Sequence, residues 1–417
     1  MGPKKKEALT VPDASDAESG DVSDVEMDST PEQPKEDDTL GNCEVVTKYQ
    51  AAAKIANDAL KKVVDASIEG SKIIDLCMLG DKYIEDAVKT VYNKGKIPKG
   101  IGFPTSVSKN HYICHYSPLP SDPDAYSTLT KGEMVRIELG VHVDGFLAQV
   151  ATTLVVGADK ENPISGRQAD ALMAAYVASE TAIRTLKPGR TNVEVTEIVQ
   201  KSAEEFGCKP IEGMLSHQIT RNNMEGQKQI ILNPTDQQKK DSEKQTFAEG
   251  EVYAVDILVS TGEGKPKTAD SRTTIYRRNP DQTYLLKMQT SRRVLSEVKS
   301  RFGSFAFNLR HMEEEKKARM GILECEKHAV VSPYPVLCEK EGEHIAHFQF
   351  TVLLLPAGPL KITSFPWDAS LLKSEKEVKS EELKELLKTS VRKSNKKKKK
   401  SKSAGGADKK ESEGDEV

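Results

Sequence analysis

Between residues 45 and 64 the apolar side chains Val45, Val46, Tyr49, Ala53, Ala56, Leu60, Val63 and Val64 recur every three or four positions, which predicts a helix that Gly70 stops. A second stripe (Ile73, Ile74, Cys77, Ile84, Val88, Val91) predicts another helix, ending near Asn93-Lys94-Gly95. The pattern then changes to strands: Gly100–Val107, the segment HYICHYSP, and RIELGVHVDGFLAQVATTLVV over 136–156. In the last of these Ile137, Leu139, Val141 and Val143 alternate before Asp144-Gly145, and Phe146, Ala148 and Val150 alternate after it, the signature of a β-hairpin whose turn tolerates positive φ. The order then repeats. Arg167–Leu186 is helical and closes at Pro188-Gly189; Thr191 with Glu194 forms a capping box for a helix to Phe206; IEGMLSHQI, a polar stretch and the buried-strand run EVYAVDILVST follow. Two helices followed by strands, twice over, predict a pseudo-duplicated α+β body with helices outside and a curved sheet inside. Residues 285–340 are charged and amphipathic, expected to form a compact helical insertion before the strand HIAHFQFTVLLLP. Ser374–Lys388 is expected to be a polar helix, and Arg392 to Lys402 is almost continuous lysine.

Two polar residues interrupt the hairpin's apolar alternation. Glu138 and Gln149 stand on facing arms of a strand pair that is otherwise built for burial, where polar groups without partners cost roughly 1–3 kcal/mol each. They mark a candidate site.

The chain has 417 residues, which predicts one body of about 330 residues carrying tails. Its net charge of −3 conceals an asymmetry: residues 1–40 hold four Lys against twelve Asp and Glu, and residues 376–417 hold fourteen Lys and Arg against nine acids. The expected division is an acidic tail over 1–42, disordered for want of apolar residues, a body over 43–373, and a polar helix with a lysine-rich disordered tail over 374–417. Ser15 and Ser23, each in S-D-x-E, are candidate phosphorylation sites. Six cysteines without CxxC spacing suggest neither a zinc knuckle nor a disulfide framework, and reduced, intracellular thiols are expected. No signal peptide is visible, and Phe350–Leu355, ended by Pro356, is far too short to cross a bilayer, so a soluble chain without membrane contact is expected.

The segments GIGFPTSVSKNHYICHYSP, RIELG…FLAQVA, EGEVYAVDILVSTGEG and HFQFTVLLLP resemble type 2 methionine aminopeptidases over roughly Val45–Pro366, and FGSFAF with SPYPVLCEK resembles the insertion that separates type 2 from type 1 enzymes. IEGMLSHQ, NPTDQQKKD, YAVDILVSTGEGK, RTTIYRR and EKKARMG more closely resemble the proliferation-associated or ErbB receptor-binding proteins, with the fungal curved DNA-binding protein as a relative. The resemblance implies the pita-bread (creatinase/methionine aminopeptidase-like) fold with a type 2 helical insertion. It further implies that the active enzymes hold two divalent metals with four carboxylates and one histidine. In this chain those positions fall on Glu138 in place of Asp, Gln149 in place of a bridging Asp, His217 retained, Asp256 in place of Glu, and Gln349 in place of a bridging Glu. A neutral amide cannot bridge two hard cations as a carboxylate does. The Asp-to-Glu exchange also moves a carboxyl by ~1.5 Å, against coordination that tolerates a few tenths. Loss of the dinuclear site, and no cofactor, is the expectation, with Gln149 and Gln349 hydrogen-bonding to Glu138 and Asp256 instead. His115 in CHYSP matches the family's substrate-side histidine, and Glu225 stands where a second active-site histidine is found; His115 and His217 are then expected to be vestigial.

For partners, the resemblance implies the large ribosomal subunit near the nascent-chain exit and its rRNA, structured RNA and mRNA, and DNA in some members, with roles in ribosome biogenesis, rRNA processing and translation. Basic clusters at Lys265, Lys267, Arg272, Arg277 and Arg278, then Arg292, Arg293, Lys299 and Arg301, are candidate phosphate contacts. The tract Arg392, Lys393, Lys396, Lys397, Lys398, Lys399, Lys400 and Lys402 is a candidate RNA-binding or nuclear-import element, without interleaved aromatics for stacking. A monomer in the cytoplasm and in the nucleus or nucleolus is expected. Two alternatives stand beside this reading: an active peptidase holding one metal on Glu138, Asp256 and His217, and a purely protein-binding transcriptional corepressor; LKELL resembles a groove-docking LxxLL helix only superficially, and an ordinary amphipathic turn is expected there.

Overall fold

A computed structural model describes residues 37–364 and 367–392. Ser15, Ser23, most of the acidic segment and the lysines from Lys393 onward lie outside the described residues. The chain divides at Asp37, and the unit beginning at Asp38 carries everything below.

Helices α1 (Cys43–Ala66) and α2 (Ile73–Val88) lead into strands β1 (Lys99–Lys109), β2 (Tyr112–Cys114), β3 (Met134–Val143) and β4 (Phe146–Val155). α2 stops before the expected Asn93: Thr90 caps Ala87 with its hydroxyl, and Tyr92 turns the chain at φ 48°. β3 and β4 form the expected hairpin, with Asp144 and Gly145 at φ 54° and 81°. Helices α3 (Gly166–Thr185) and α4 (Asn192–Glu204) open the second half, α4 with the Thr191–Glu194 capping box that the sequence predicts. The short α5 (Asp236–Asp241) follows. The principal sheet has nine strands, in the order β1, β3, β4, then Ile345–Leu355, Val252–Ser260, Leu215–Gln218 and Gln229–Ile231, with Gly358–Lys361 and Lys209–Pro210 added at the side.

Alternation assigns the two faces of this sheet. Ile137, Leu139, Val141, Ala148 and Val150 join the cluster beneath α1 and α2, while Tyr253, Val255, Ile257, Phe350 and Val352 join the one beneath α3 and α4. Glu138, Gln149, Asp256 and Gln349 are left on the opposite face. Helices on one side of a curved antiparallel sheet, in two similar halves, make this the pita-bread architecture.

The halves meet at the hairpin turn. Asp144 is 7% exposed and accepts hydrogen bonds from Lys48 of α1 at 2.7 Å and from Arg221 of the second half at 2.8 Å, while Arg221 also pairs with Asp38.

The insertion is not purely helical. α6 (Gln289–Arg301) and α7 (Glu315–Lys327) pack together, but Ala306–Asn308 and Val331–Tyr334 flank Ile275–Arg278 in a separate three-stranded sheet that begins before residue 285. It has its own core, including Tyr276, Val298, Phe307 and Ile322. Asp81 of α2 fastens it to the body by accepting from Arg310 and His311. Burial opposes that carboxylate's charge, but Arg310 and His311 outweigh burial and hold its pKa far below the usual range.

At the C-terminus, helix α8 spans only Glu381–Lys388, shorter than expected from Ser374. The preceding residues are held in place by tertiary bonds: Lys376 pairs with Asp170, and the Lys379 and Ser380 amides donate to Glu205. Leu383 is fully buried in the cluster under α3, with Leu386 and Leu387 against it. The LKELL leucines thus pack within the chain as the expected amphipathic turn, and the chain as far as Arg392 belongs with the body. Among the described residues no helix is long and apolar enough to cross a membrane.

Candidate functional site

The register of the sheet draws a line across its concave face. Glu138 pairs with Ala151, Ala151 with Gln349, and Gln349 with Asp256, so three of the positions marked in the sequence share one row over four strands. Gln149 sits one step along β4, opposite Gly140, and His217 pairs with Ala254, one step from Asp256. Position 140 is tight, since a Cβ there would lie 3.0 Å from the Phe103 backbone nitrogen and 3.1 Å from Gln149 Cγ. These five residues, His115 and Glu225 all line one cavity of about 300 Å³. All seven positions inferred from sequence converge.

Their hydrogen bonds differ from expectation. Neither glutamine side chain bonds to a carboxylate, and Gln349 Oε1 is buried without a partner. Asp256 is instead held by His347, whose Nε2 lies 2.5 Å from its Oδ1. His347 is 1% exposed, and its backbone exchanges two hydrogen bonds with the Thr153 hydroxyl. Burial works against a charged imidazole there, yet Asp256, by charge and hydrogen bond, and Glu138, by charge, outweigh it and raise the His347 pKa. Glu138 keeps one long contact, 3.4 Å from the Ser106 hydroxyl, and burial together with the Asp256 charge pushes its pKa up to about 7. Thus a buried imidazole of the chain itself is bonded to Asp256, and both carboxylates favour its charged form.

The remaining groups are neutral or engaged. Burial lowers the His115 pKa to about 4; its Nδ1 is 3.1 Å from the Pro335 carbonyl, its ring leans on Phe103 and Tyr334, and its φ is 67°. Burial also lowers His217, whose Nδ1 has no partner. Glu225 accepts from Arg277 at 2.6 Å and from the Tyr334 hydroxyl at 3.1 Å, closing one wall of the cavity with an ion pair. The donor set does not fit a dinuclear metal centre: both bridging positions are uncharged, and Asp256 is already committed to His347. Among the described residues no three His, Cys, Asp or Glu side chains are grouped to hold a metal ion.

The basic clusters are only partly free. Arg277, predicted as a phosphate contact, is 14% exposed in its ion pair with Glu225, and Arg278 donates to the Gly303 carbonyl. Arg292 caps the Leu286 and Lys287 carbonyls at 2.9 Å. Arg293 pairs with Glu314 at exposed positions where such a pair contributes about 0–1 kcal/mol, whereas Arg272 and Arg301 pair with the largely buried Asp122 and Glu297, and Arg301 also donates to the His311 carbonyl. Lys267 and Lys299 are exposed with no carboxylate in ion-pair range among the described residues, Lys265 has only Glu263 at 3.9 Å, and Arg392 is exposed. The accessible basic surface is smaller than the charge pattern predicts.

His347 is the functional residue that sequence reading missed. It lies two residues before Gln349 on the same strand, so period-two alternation places both on the cavity face.

The metallopeptidase family M24 pattern matches residues 47–277. The chain belongs to metallopeptidase family M24. Within M24, the curved DNA-binding protein of Schizosaccharomyces pombe is 44% identical over 357 residues, covering 85% of this chain and 93% of that protein. ERBB-3 binding protein 1 of Arabidopsis thaliana is 43% identical over 341 residues, covering 81% and 85%. The solved structure of a thermophilic Arx1 superposes with a TM-score of 0.80 at 32% identity, covering 84% of this M24 chain and all of that one.

Proposed function

We propose that this M24 chain is a non-catalytic binding protein that keeps the peptidase fold as a recognition surface. One observation carries the reading: at the two cavity positions where active relatives are expected to have bridging carboxylates, the chain has the neutral amides Gln149 and Gln349, and its one aspartate is bonded to His347. With no metal hydroxide there is no nucleophile for His115 to assist. The partners that fit are the large ribosomal subunit near the nascent-chain exit and structured RNA or DNA, in ribosome biogenesis, translation and growth regulation, with residence in cytoplasm, nucleus and nucleolus. Support comes from the sequence resemblance, from relatives whose names describe binding to DNA or to ERBB-3, and from the basic tract beginning at Arg392.

Two measurements test this. Purified chain is expected to contain no stoichiometric metal and to leave Met-Ala-type peptides intact under added cobalt or manganese; stoichiometric metal with turnover would restore the peptidase reading. Deleting 392–402 is expected to weaken co-sedimentation with large subunits, most clearly as salt rises, because phosphate contacts release counterions. It should also lower nuclear accumulation. Unchanged sedimentation across the salt series, with unchanged localisation, would sink the proposal for the tail.

A further inference from the structure

On the second half of the body, α4 and the chain from Ile231 to Lys244 enclose a cleft of about 720 Å³ that shares no lining residue with the central cavity. This volume is within the range of small-molecule sites. Its apolar lining comes from Val193, Ile231 and Pro234, and Val193 is 39% exposed. The walls are fastened to each other. Thr196 Oγ1 donates to the Ile231 carbonyl at 2.8 Å, and Asn192 Nδ2 donates to the Gln229 and Glu243 carbonyls at 3.0 and 3.1 Å. The cleft is thus preformed rather than a gap between mobile parts.

Two polar features point to a ligand. Gln200 Nε2 donates to Glu204 Oε1 at 2.6 Å, and since a carboxylate only accepts, this fixes the amide's orientation. Its Oε1 is then buried without a donor, on a residue that lines the cleft. Around the apolar lining stand Lys201, Lys239 and Lys244 against the single acid Glu197. Lys201 and Lys239 touch Glu382 at 3.1 Å and Asp236 at 3.6 Å, but both lysines are more than half exposed, so these pairs are weak and exchangeable. Lys244 has no carboxylate in ion-pair range among the described residues.

We infer that this cleft binds a small amphipathic organic anion: an aliphatic or aromatic body on Val193, Ile231 and Pro234, an acidic group among the three lysines, and an N–H or O–H donor to Gln200 Oε1. The probe 8-anilinonaphthalene-1-sulfonate has all three parts. Titrated against the folded full chain, its fluorescence is expected to saturate at one site per chain. Decanoate should displace it at about tenfold lower concentration than does neutral methyl decanoate, which like decanoate has no donor. Val193→Glu, which places a carboxylate on the apolar lining, and the double variant Lys239→Glu/Lys244→Glu should each weaken binding by about tenfold. All three positions are surface sites, so the thermal midpoint should not move, and Leu323→Glu on the distant insertion should bind as the parent does. No saturable binding up to about 1 mM would overturn the inference, as would equal displacement by the neutral ester. Unchanged affinity in both cleft variants would place the probe elsewhere and overturn it too.

Discussion

Glu138 sits where the fold resists its ionisation. Its pKa of about 7 lies above the ~4.3 of an unfolded glutamate, so between these values the folded chain holds a proton that the unfolded chain has released. Stability therefore falls as pH rises through that window. Glu138→Gln removes this dependence and is expected to gain on the parent by on the order of 3 kcal/mol between pH 5 and pH 8, read from urea denaturation at both values. Parallel curves for the two proteins would contradict the burial argument. Asp256 is held by its bond to His347. His347→Phe leaves a carboxylate buried without its partner and should cost about 3–5 kcal/mol, with Asp256→Asn in the same chain recovering a large part. At this scale the sequence located the positions but not their bonds. Glu138, Gln149, His217, Asp256 and Gln349 were legible because each replaces or retains a residue of a known ligand set. The Arg277–Glu225–Tyr334 contact was not, since it joins three segments far apart in sequence and has no local signal.

Elements were legible where one segment carries its own instruction. The α4 capping box is such a case: Thr191 and Glu194 satisfy each other whatever lies around them. Strands Ala306–Asn308 and Val331–Tyr334 are not, being three and four residues long and defined by the partner Ile275–Arg278 between them. For α8 the apolar stripe was readable, but its start was not, because Glu205 takes the Lys379 and Ser380 amides that a longer helix would use internally. Leu383 is the anchor of this helix. Leu383→Ala should cost about 3 kcal/mol, or less if α8 undocks before the core feels the cavity. Hydrogen exchange distinguishes the two, since undocking would unprotect amides 381–388 while those of α3 keep their protection.

The order of helices and strands, repeated once, was enough to give the architecture of the whole molecule, because both halves obey the same alternation of buried and cavity-facing positions. How the halves hold together was not visible in the sequence, where Asp144 was only a turn residue. Its two carboxylate oxygens are taken by opposite halves, Lys48 on one side and Arg221 on the other. Strand Ile345–Leu355 reinforces the seam by pairing with β4 and with Val252–Ser260 together. A duplicated body could melt as two independent lobes, each with its own midpoint. With one carboxylate claimed by both, losing either lobe strands a buried charge in the other, so heating should give a single calorimetric transition whose van't Hoff and measured enthalpies agree. Asp144→Asn is expected to broaden or split that transition, turning a cooperative unit into two neighbours.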